Sequence, residues 1–404
     1  MAVETIFLSW AFPPMNYPRA VQVGRLVDHW NLGSIDVLCY GSTRQESSYR
    51  NKSDRCNVTV KRHGNRIADF LLRVATKFLS SGIQHRPDMQ ILWAKSSVKR
   101  LIKLIKEKDD PVLVSFGQPM SDHLAALHVK QKTGVPWIAH FSDPWADNPF
   151  SKRSLSSQSR VIEWERQVFE NADKLVFTSD ETVDLIMTNY PDSLRNKISV
   201  IPHTYSTKSL AKADIQNQDI IKIRYLGNLY GERNPIELVK ALNAIQDDDP
   251  KLFEDMVFEF FGEMDNETRA AVSALKYDES LICFNGEVGY EKSLQLMADA
   301  NLLLILDAPA IKSVFLPSKL VDYLGMAKPL LGITPPGTSA NIIEDLGFPV
   351  CNSLDARQMK APLALILHKI KQGEYRHSYN ADRFHPEKVT QLMEELVSMV
   401  ANKR

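Results

Sequence analysis

The stretch Phe315-Leu-Pro-Ser-Lys-Leu-Val-Asp-Tyr-Leu-Gly-Met-Ala-Lys-Pro-Leu-Leu-Gly-Ile-Thr334 reads as a loop, a short helix and a buried strand. Pro317 and Ser318 mark the helix start, because Ser caps free amides and Pro is tolerated in the first turn. Pro329 should end the helix, and Leu330, Leu331 and Ile333 begin a strand. A helix N-terminus carries free N–H groups and the positive end of the dipole, so it suits an anion. Lys319 adds a full charge there, and Asp322, one turn on, lies on the face of Ser318. A phosphate grip beside a carboxylate that accepts from a ribose diol is what a nucleotide-linked substrate needs.

The same alternation of strand and helix extends in both directions. N-terminal strand candidates are Thr5–Ser9, Ile35–Tyr40, Val112–Phe116, Trp137–Phe141, Lys174–Thr178 and Ile198–Pro202. Helical patterns intervene at Arg19–Trp30, Asp122–Thr133, Ser159–Glu170 and Glu181–Asn189. The polar run His203–Asp219 reads as a linker. Strands resume at Ile220–Leu226, Val257–Phe261, Leu281–Phe284, Leu302–Leu306 and Leu330–Ile333, with helices at Pro235–Ile245, Glu291–Ala298 and Ala340–Leu346. Such βα repetition predicts parallel sheets covered on both faces. The expected division is an acceptor-binding Rossmann-like domain over 1–205, a nucleotide-sugar-binding one over 206–385, and a terminal helix over 386–404 packing back toward the first. Two doubly wound domains facing each other across a cleft would bind ligands at the loops that follow their strands.

Bulk properties narrow the class. The 404 residues are 44% hydrophobic and 24% charged, as in globular proteins. No apolar run approaches the ~18 residues of a membrane span. The start of the chain lacks a basic n-region, so no signal peptide is expected. Cys39, Cys56, Cys283 and Cys351 have no paired spacing, which points to a reducing, cytoplasmic setting and inert thiols. The three Asn-x-Ser/Thr sequons, at Asn51, Asn57 and Asn266, are then without meaning. No zinc spacing, Walker loop or serine elbow is present. The acidic run Asp247-Asp-Asp-Pro250 reads as a solvated helix end. Net charge is zero, yet residues 61–110 hold twelve Lys/Arg against five Asp/Glu, a local +7.

Five strand ends carry candidate chemistry. Tyr225-Leu-Gly-Asn-Leu-Tyr-Gly-Glu-Arg-Asn-Pro235 brings Gly227, Asn228 and Arg233, whose planar fork suits a diphosphate. Phe260-Phe-Gly-Glu263 offers Gly262 and Glu263 beside a base. Phe284-Asn-Gly-Glu-Val-Gly-Tyr290 offers backbone at Gly286 and Val288 to read a base edge. Ser9-Trp-Ala-Phe-Pro-Pro-Met-Asn-Tyr-Pro-Arg19 is a rigid aromatic loop that presents Tyr17. Arg19 opposes the dipole of the helix it begins, which suggests an anionic partner. Ala139-His-Phe-Ser-Asp-Pro-Trp-Ala-Asp147 sets His140, Asp143 and Trp145 at a buried strand end, and Gly117-Gln-Pro-Met-Ser-Asp122 is similar.

Together these residues resemble glycosyltransferase family 4, which has the GT-B fold, over nearly the whole chain. The Pro-Ser-Lys-Leu-x-Asp-Tyr-Leu and Asp-Pro-Trp runs look most like bacterial enzymes of capsule, O-antigen or exopolysaccharide assembly. The resemblance implies a nucleotide sugar held by the C-terminal domain. Asp322 then matches the ribose-binding carboxylate, Arg233 the basic residue on the diphosphate, and Leu316, Ser318, Lys319 and Leu320 the loop and helix start whose amides face it. Two positions depart from the pattern. Val314 stands where the family has a sugar-reading glutamate, which leaves that role to Asp307 or Ser313. Asn228 stands where it has an arginine, which Lys319 would replace.

The implied reaction is a retaining, hexosyltransferase-type transfer to a saccharide or lipid-linked acceptor. It would need no cofactor and no metal, since Arg233 and Lys319 meet the leaving diphosphate. His140 and Asp143 would orient the reacting groups, and Tyr17, Arg19 and Trp145 the acceptor. The alternatives are a nucleotide-sugar 2-epimerase of the same fold, or a non-catalytic homologue that binds nucleotide or a partner. The basic segment suggests a peripheral site on the inner membrane face. In it Val98–Lys106 is a basic amphipathic helix, and Ile67, Phe70, Leu71, Val74 and Phe78 form a second apolar stripe beside Arg66, Arg73 and Lys77. No nucleic-acid partner is implied.

Overall fold

The structure, a computed structural model, describes residues 3–15, 17–41, 56–64, 87–151, 153–207, 220–352 and 354–402. The second apolar stripe expected over residues 66–78 lies outside them. The chain divides into two compact units, Met1–Thr204 with His385–Arg404, and Tyr205–Phe384.

The first unit holds a seven-stranded sheet. Its strands are β1 (Glu4–Leu8), β2 (Ser34–Tyr40), β3 (Asn57–His63), β4 (Val112–Phe116), β5 (Trp137–His140), β6 (Lys174–Phe177) and β7 (Ile198–Val200). They run in the order β3-β2-β1-β4-β5-β6-β7, every pair parallel. Helices α1 (Pro18–Asp28), α2 (Ile91–Lys106), α3 (Ser121–Thr133), α4 (Leu155–Asn171) and α5 (Asp180–Met187) follow its strands. β4 is buried at all five positions, as a central parallel strand covered on both faces must be.

The second unit repeats the plan with six parallel strands: β8 (Ile221–Leu226), β9 (Met256–Phe261), β10 (Ile282–Phe284), β11 (Leu302–Leu306), β12 (Leu330–Ile333) and β13 (Val350–Cys351), in the order β10-β9-β8-β11-β12-β13. Its helices are α6 (Ile236–Asp248), α7 (Asn266–Ser273), α8 (Tyr290–Ala298), α9 (Ser318–Gly325), α10 (Thr338–Asp345) and α11 (Ala356–Gln372). Strand order reverses between β1 and β4 in one sheet and between β8 and β11 in the other. Loops diverge at such points and leave a crevice at the carboxyl ends. These are the doubly wound, Rossmann-like sheets that the alternation predicts.

The last helix, α12 (Pro386–Ala401), belongs to the first unit. Its Val389, Met393, Leu396, Val397 and Val400 join Phe7, Val23, Val27 and Trp30 in one buried cluster. The start of the expected linker is also fixed there. Thr204 N donates to Gln22 Oε1 at 2.9 Å, and Gln22 Nε2 donates to Thr204 O at 3.2 Å.

Two local expectations need correction. Pro317, not Ser318, is the N-cap of α9, and no side chain caps that helix. The helix closes at Gly325, four residues before Pro329, with Ala327 turning the chain at φ 52°.

Candidate active site

In the second unit the sequence candidates converge on the β8/β11 switch point. Tyr225 is the penultimate residue of β8, and its ring supports Lys319, whose Nζ lies 4.1 Å from the ring centre and donates to the Tyr225 hydroxyl. That hydroxyl in turn donates to Asn228 O at 3.2 Å. Gly227 makes this possible. Its φ is +155°, and a Cβ there would lie 2.4 Å from Lys319 Nζ. Gly262, at φ +143°, is equally constrained, since a Cβ would meet Gly227 O at 2.1 Å.

Arg233 reaches the same point from the loop before α6. Its guanidinium faces Asp307 at 3.9 Å, lies 5.7 Å from the Tyr230 ring centre and touches the Tyr230 hydroxyl at 3.4 Å. Its Nε is buried without a partner. Asp307 directly follows β11 and accepts from Thr334 Oγ1 at 2.9 Å. Burial and the neighbouring Arg233 push the Lys319 ammonium well below the usual lysine range, against a smaller pull from Asp307. Two cations are thus crowded beside one carboxylate, next to the N-terminus of α9. A polyanion relieves that repulsion.

The remaining donor candidates take varied places. Asn228 Oδ1 accepts from Glu263 N at 3.1 Å, so its side chain ties two loops together. Gly262 N donates to Gly286 O at 2.8 Å, which joins the next pair of loops. Val288 is half-buried and packs against the core. Leu316 and Leu320 are 4% and 0% exposed, so their side chains are core and only their backbone can face a ligand. Ser318 and Asp322 lie half-buried on α9. Val314 is buried, and Ser313 pairs its backbone with Pro336.

In the first unit His140 ends β5, 3% exposed. Desolvation and the nearby Arg19 hold its imidazole well below the usual range, so it is neutral at pH 7. Arg19 Nη1 lies 3.4 Å from His140 Nδ1, and Nη2 donates to Ser142 Oγ. Asp143 accepts from the Gln118 amide. A cavity of about 650 Å³ opens at the strand ends beside these groups. Tyr17 and Trp145 line it with Trp10, Tyr40, Gln118 and Arg153, while Arg19 does not. The Trp10 ring meets Tyr40 at 5.5 Å and Tyr17 at 6.4 Å between centroids. Aromatic faces interleaved with amide and guanidinium donors suit a sugar, which presents C–H faces and hydroxyl rims. Trp10 belongs to the aromatic loop that the sequence singles out, whereas Tyr40 comes from another strand end; alternation shows strand ends but not which of them meet.

Among the described residues no group of three or more His, Cys, Asp or Glu is placed to hold a metal. No described helix is long and apolar enough to cross a membrane.

Comparison with known proteins agrees with this architecture. Residues 69–208 match the sequence model of Glycosyltransferase Family 4. No curated protein matches by sequence. Among solved structures, Anabaena Alr3699/HepE in complex with UDP aligns at TM-score 0.60 and 12% identity, over 99% of this chain and 98% of that one. The lipopolysaccharide outer core galactosyltransferase WaaB aligns at 0.59 and 13%, over 97% and 100%. A glycosyltransferase from Rickettsia africae aligns at 0.66 and 10%, over 100% and 99%. Residues 69–208 are thus similar to Glycosyltransferase Family 4, and the two parallel sheets share the fold of these GT-B glycosyltransferase structures.

Proposed function

We propose that the protein transfers a hexose from a nucleotide-diphosphate sugar to a saccharide or lipid-linked acceptor, with retention at the anomeric carbon, in bacterial surface-polysaccharide synthesis. The observation that carries this reading is the Lys319–Arg233 pair at the β8/β11 switch point, two crowded cations beside an uncapped helix N-terminus. As the glycosidic C–O bond lengthens, negative charge grows on the departing diphosphate. Donors already in place stabilise it without reorganisation. The ring carbon becomes oxocarbenium-like, and the acceptor oxygen adds on the leaving-group face while its proton passes to the diphosphate. Neutral His140 and Asp143 orient the reacting hydroxyls. These cations suffice for the leaving group, so no metal or cofactor enters the scheme. The alignment with HepE, whose structure holds UDP, supports a nucleotide donor.

Calorimetric titration with UDP, GDP and ADP, followed by mass spectrometry of sugar transfer to an acceptor panel, tests the reading. Binding of one nucleoside diphosphate in the micromolar range and a mass gain of one hexose on an acceptor are expected. Epimerised nucleotide sugar formed without acceptor would identify a 2-epimerase instead, and no nucleotide binding would identify a partner-binding homologue.

A peripheral membrane site, with the protein otherwise cytoplasmic, is supported by α2. Its exposed face carries Lys95, Lys99, Arg100, Lys103 and Lys106 around Leu92, which is 45% exposed. Each cation near an anionic bilayer contributes about 1 kcal/mol. Flotation with phosphatidylglycerol vesicles at low salt should carry the protein, and Lys99→Glu with Arg100→Glu should leave it behind. Equal flotation with neutral vesicles would remove the electrostatic account.

A further inference from the structure

The ladder at the β8/β11 switch point stops before its strands do. β11 pairs with β8 through Leu302 with Ile223 and Leu303 with Arg224. Both strands then run on apart, β8 beside β9 as far as Leu226, and β11 beside β12 as far as Leu306. Gly227 N donates to Phe261 O on the β9 side at 2.8 Å. Leu226, one residue earlier, therefore turns its N–H and C=O to the side that β11 has left. Buried backbone groups without partners are costly.

Tyr323 supplies the partner. It is 0% exposed on α9. Its hydroxyl accepts from Leu226 N at 2.8 Å and donates to Leu226 O, 3.4 Å away. One group that both accepts and donates thus stands in for a strand, which a phenyl ring in the same space cannot do. The ring belongs to one buried cluster with Leu226, Leu303, Ile305 and Leu320.

The consequence falls on Lys319. Residues 319 and 323 lie one turn apart on the same face of α9. Tyr225 directly precedes Leu226 on β8. Fixing Tyr323 on Leu226 therefore fixes where Lys319 meets Tyr225, with Nζ 4.1 Å from the ring centre. The helix has only eight residues and no side-chain N-cap to hold its start. The two contacts differ in what an anion does to them. The Lys319 ammonium donates to a neutral hydroxyl, which it can exchange for a phosphoryl oxygen. Tyr323 bonds main chain and has nothing to exchange. At the opposite end of the helix the Tyr379 hydroxyl donates to Lys328 O at 3.1 Å and lies 3.4 Å from Leu324 O.

We propose that Tyr323 is a positioning residue of the anion site: its hydroxyl closes the gap in the ladder at Leu226 and thereby sets Lys319 in place before the anion arrives. A donor placed in advance stabilises charge without reorganisation. Naming the anion as a nucleoside diphosphate rests on the glycosyltransferase reading; the placement of Lys319 does not.

The test has one arm without nucleotide and one with it. In magnetic resonance spectra of the full chain, selectively labelled at the lysine ε-carbons, the Lys319 signal is identified by its loss in Lys319→Met. It should lie upfield of the exposed lysines, because the Tyr225 ring shields it, and Tyr323→Phe should move it back toward them. Tyr379→Phe, which frees the other end of the helix, should leave it in place. In calorimetric titration Tyr323→Phe should weaken UDP binding about tenfold, the loss of most of one charge-assisted bond. In the Lys319→Met background it should cost nothing further, since a residue that acts through Lys319 then has nothing to act on. A Lys319 signal that is unshielded in the unsubstituted protein, or unmoved by Tyr323→Phe, overturns the proposal. So do additive losses in the double variant, or an equal displacement by Tyr379→Phe, either of which marks general loosening. Should Tyr323→Phe fail to fold, hydrogen exchange of the unsubstituted protein decides. The Leu226 amide should exchange as slowly as the paired amides of β8, and exchange at the rate of loop amides overturns the proposal. If UDP does not bind the unsubstituted protein while Tyr323→Phe still moves the Lys319 signal, the donor reading falls and the positioning role stands.

Discussion

Arg233→Ala is expected to raise the dissociation constant of the preferred nucleoside diphosphate by more than 100-fold, with little change in folding stability. The guanidinium is only weakly engaged by the protein's own groups. Its nearest carboxylate oxygen, on Asp307, is 3.9 Å away, its contact with the Tyr230 hydroxyl is a long 3.4 Å, and Nε has no partner. Removing it therefore breaks no strong native interaction, and a change of within about 0.5 kcal/mol is expected for stability. A bound diphosphate would accept two or more N–H bonds from the fork. Each charge-assisted bond contributes about 1.5–3 kcal/mol, so two account for the predicted loss. Arg233→Lys should recover only part of it, because a point charge cannot bridge two phosphoryl oxygens. Calorimetric titration of both variants reads the effect, and an unchanged dissociation constant for Arg233→Ala would move the donor site elsewhere.

Much of the fold was legible because a parallel strand covered on both faces is a continuous apolar run. β4, β11 and β12 have the bounds the sequence predicts, and each is buried throughout. β3 was not seen. It is an edge strand whose pattern mixes Val58 and Val60 with Asn57, Thr59, Lys61 and Arg62, and edge strands keep polar residues. The buried face of β3 even includes Arg62, whose guanidinium donates to Pro13 O across the sheet edge. No local period announces such a residue.

The candidate site divides in the same way. Residues at loop positions after strands were legible, because topology alone places them at the carboxyl edge. What each does there was not. Lys319 finds Tyr225 at a separation of 94 residues, and only the fold brings the two together. Asn228, expected among the donor contacts, accepts from the Glu263 amide through Oδ1, a loop-to-loop bond that spacing does not show. Tyr17 and Trp145 were read as acceptor contacts and both line one cavity. Arg19, read with them, lies outside its wall and is bonded to His140 and Ser142.

The behaviour of Lys319 gives the second large effect, and it has opposite signs for stability and binding. Burial and the Arg233 charge hold the ammonium well below its ordinary pKa of 10.5 in the folded protein, with Asp307 pulling weakly the other way. An unfolded chain binds that proton at the ordinary value. Wherever the unfolded state holds more protons, stability rises with pH. The native state is thus penalised at every pH below the unfolded value, fully so below the folded one, and the penalty fades as pH climbs toward 10.5. Lys319→Met keeps a long, flexible side chain against the Tyr225 ring and removes the charge. The Tyr225 hydroxyl keeps Asn228 O as its acceptor at 3.2 Å, so no buried donor is orphaned. In thermal melts of the nucleotide-free protein at pH 7 the variant should therefore unfold at a higher temperature than the parent, and the gap should close as pH approaches 10. With saturating UDP the order should invert, because the parent gains binding free energy that the variant lacks. Turnover of the nucleotide sugar should fall by about 10²–10³, the cost of removing one preorganised donor from a developing anion. A variant less stable than the parent at pH 7 without nucleotide would show that Lys319 supports the fold rather than waiting for a phosphate.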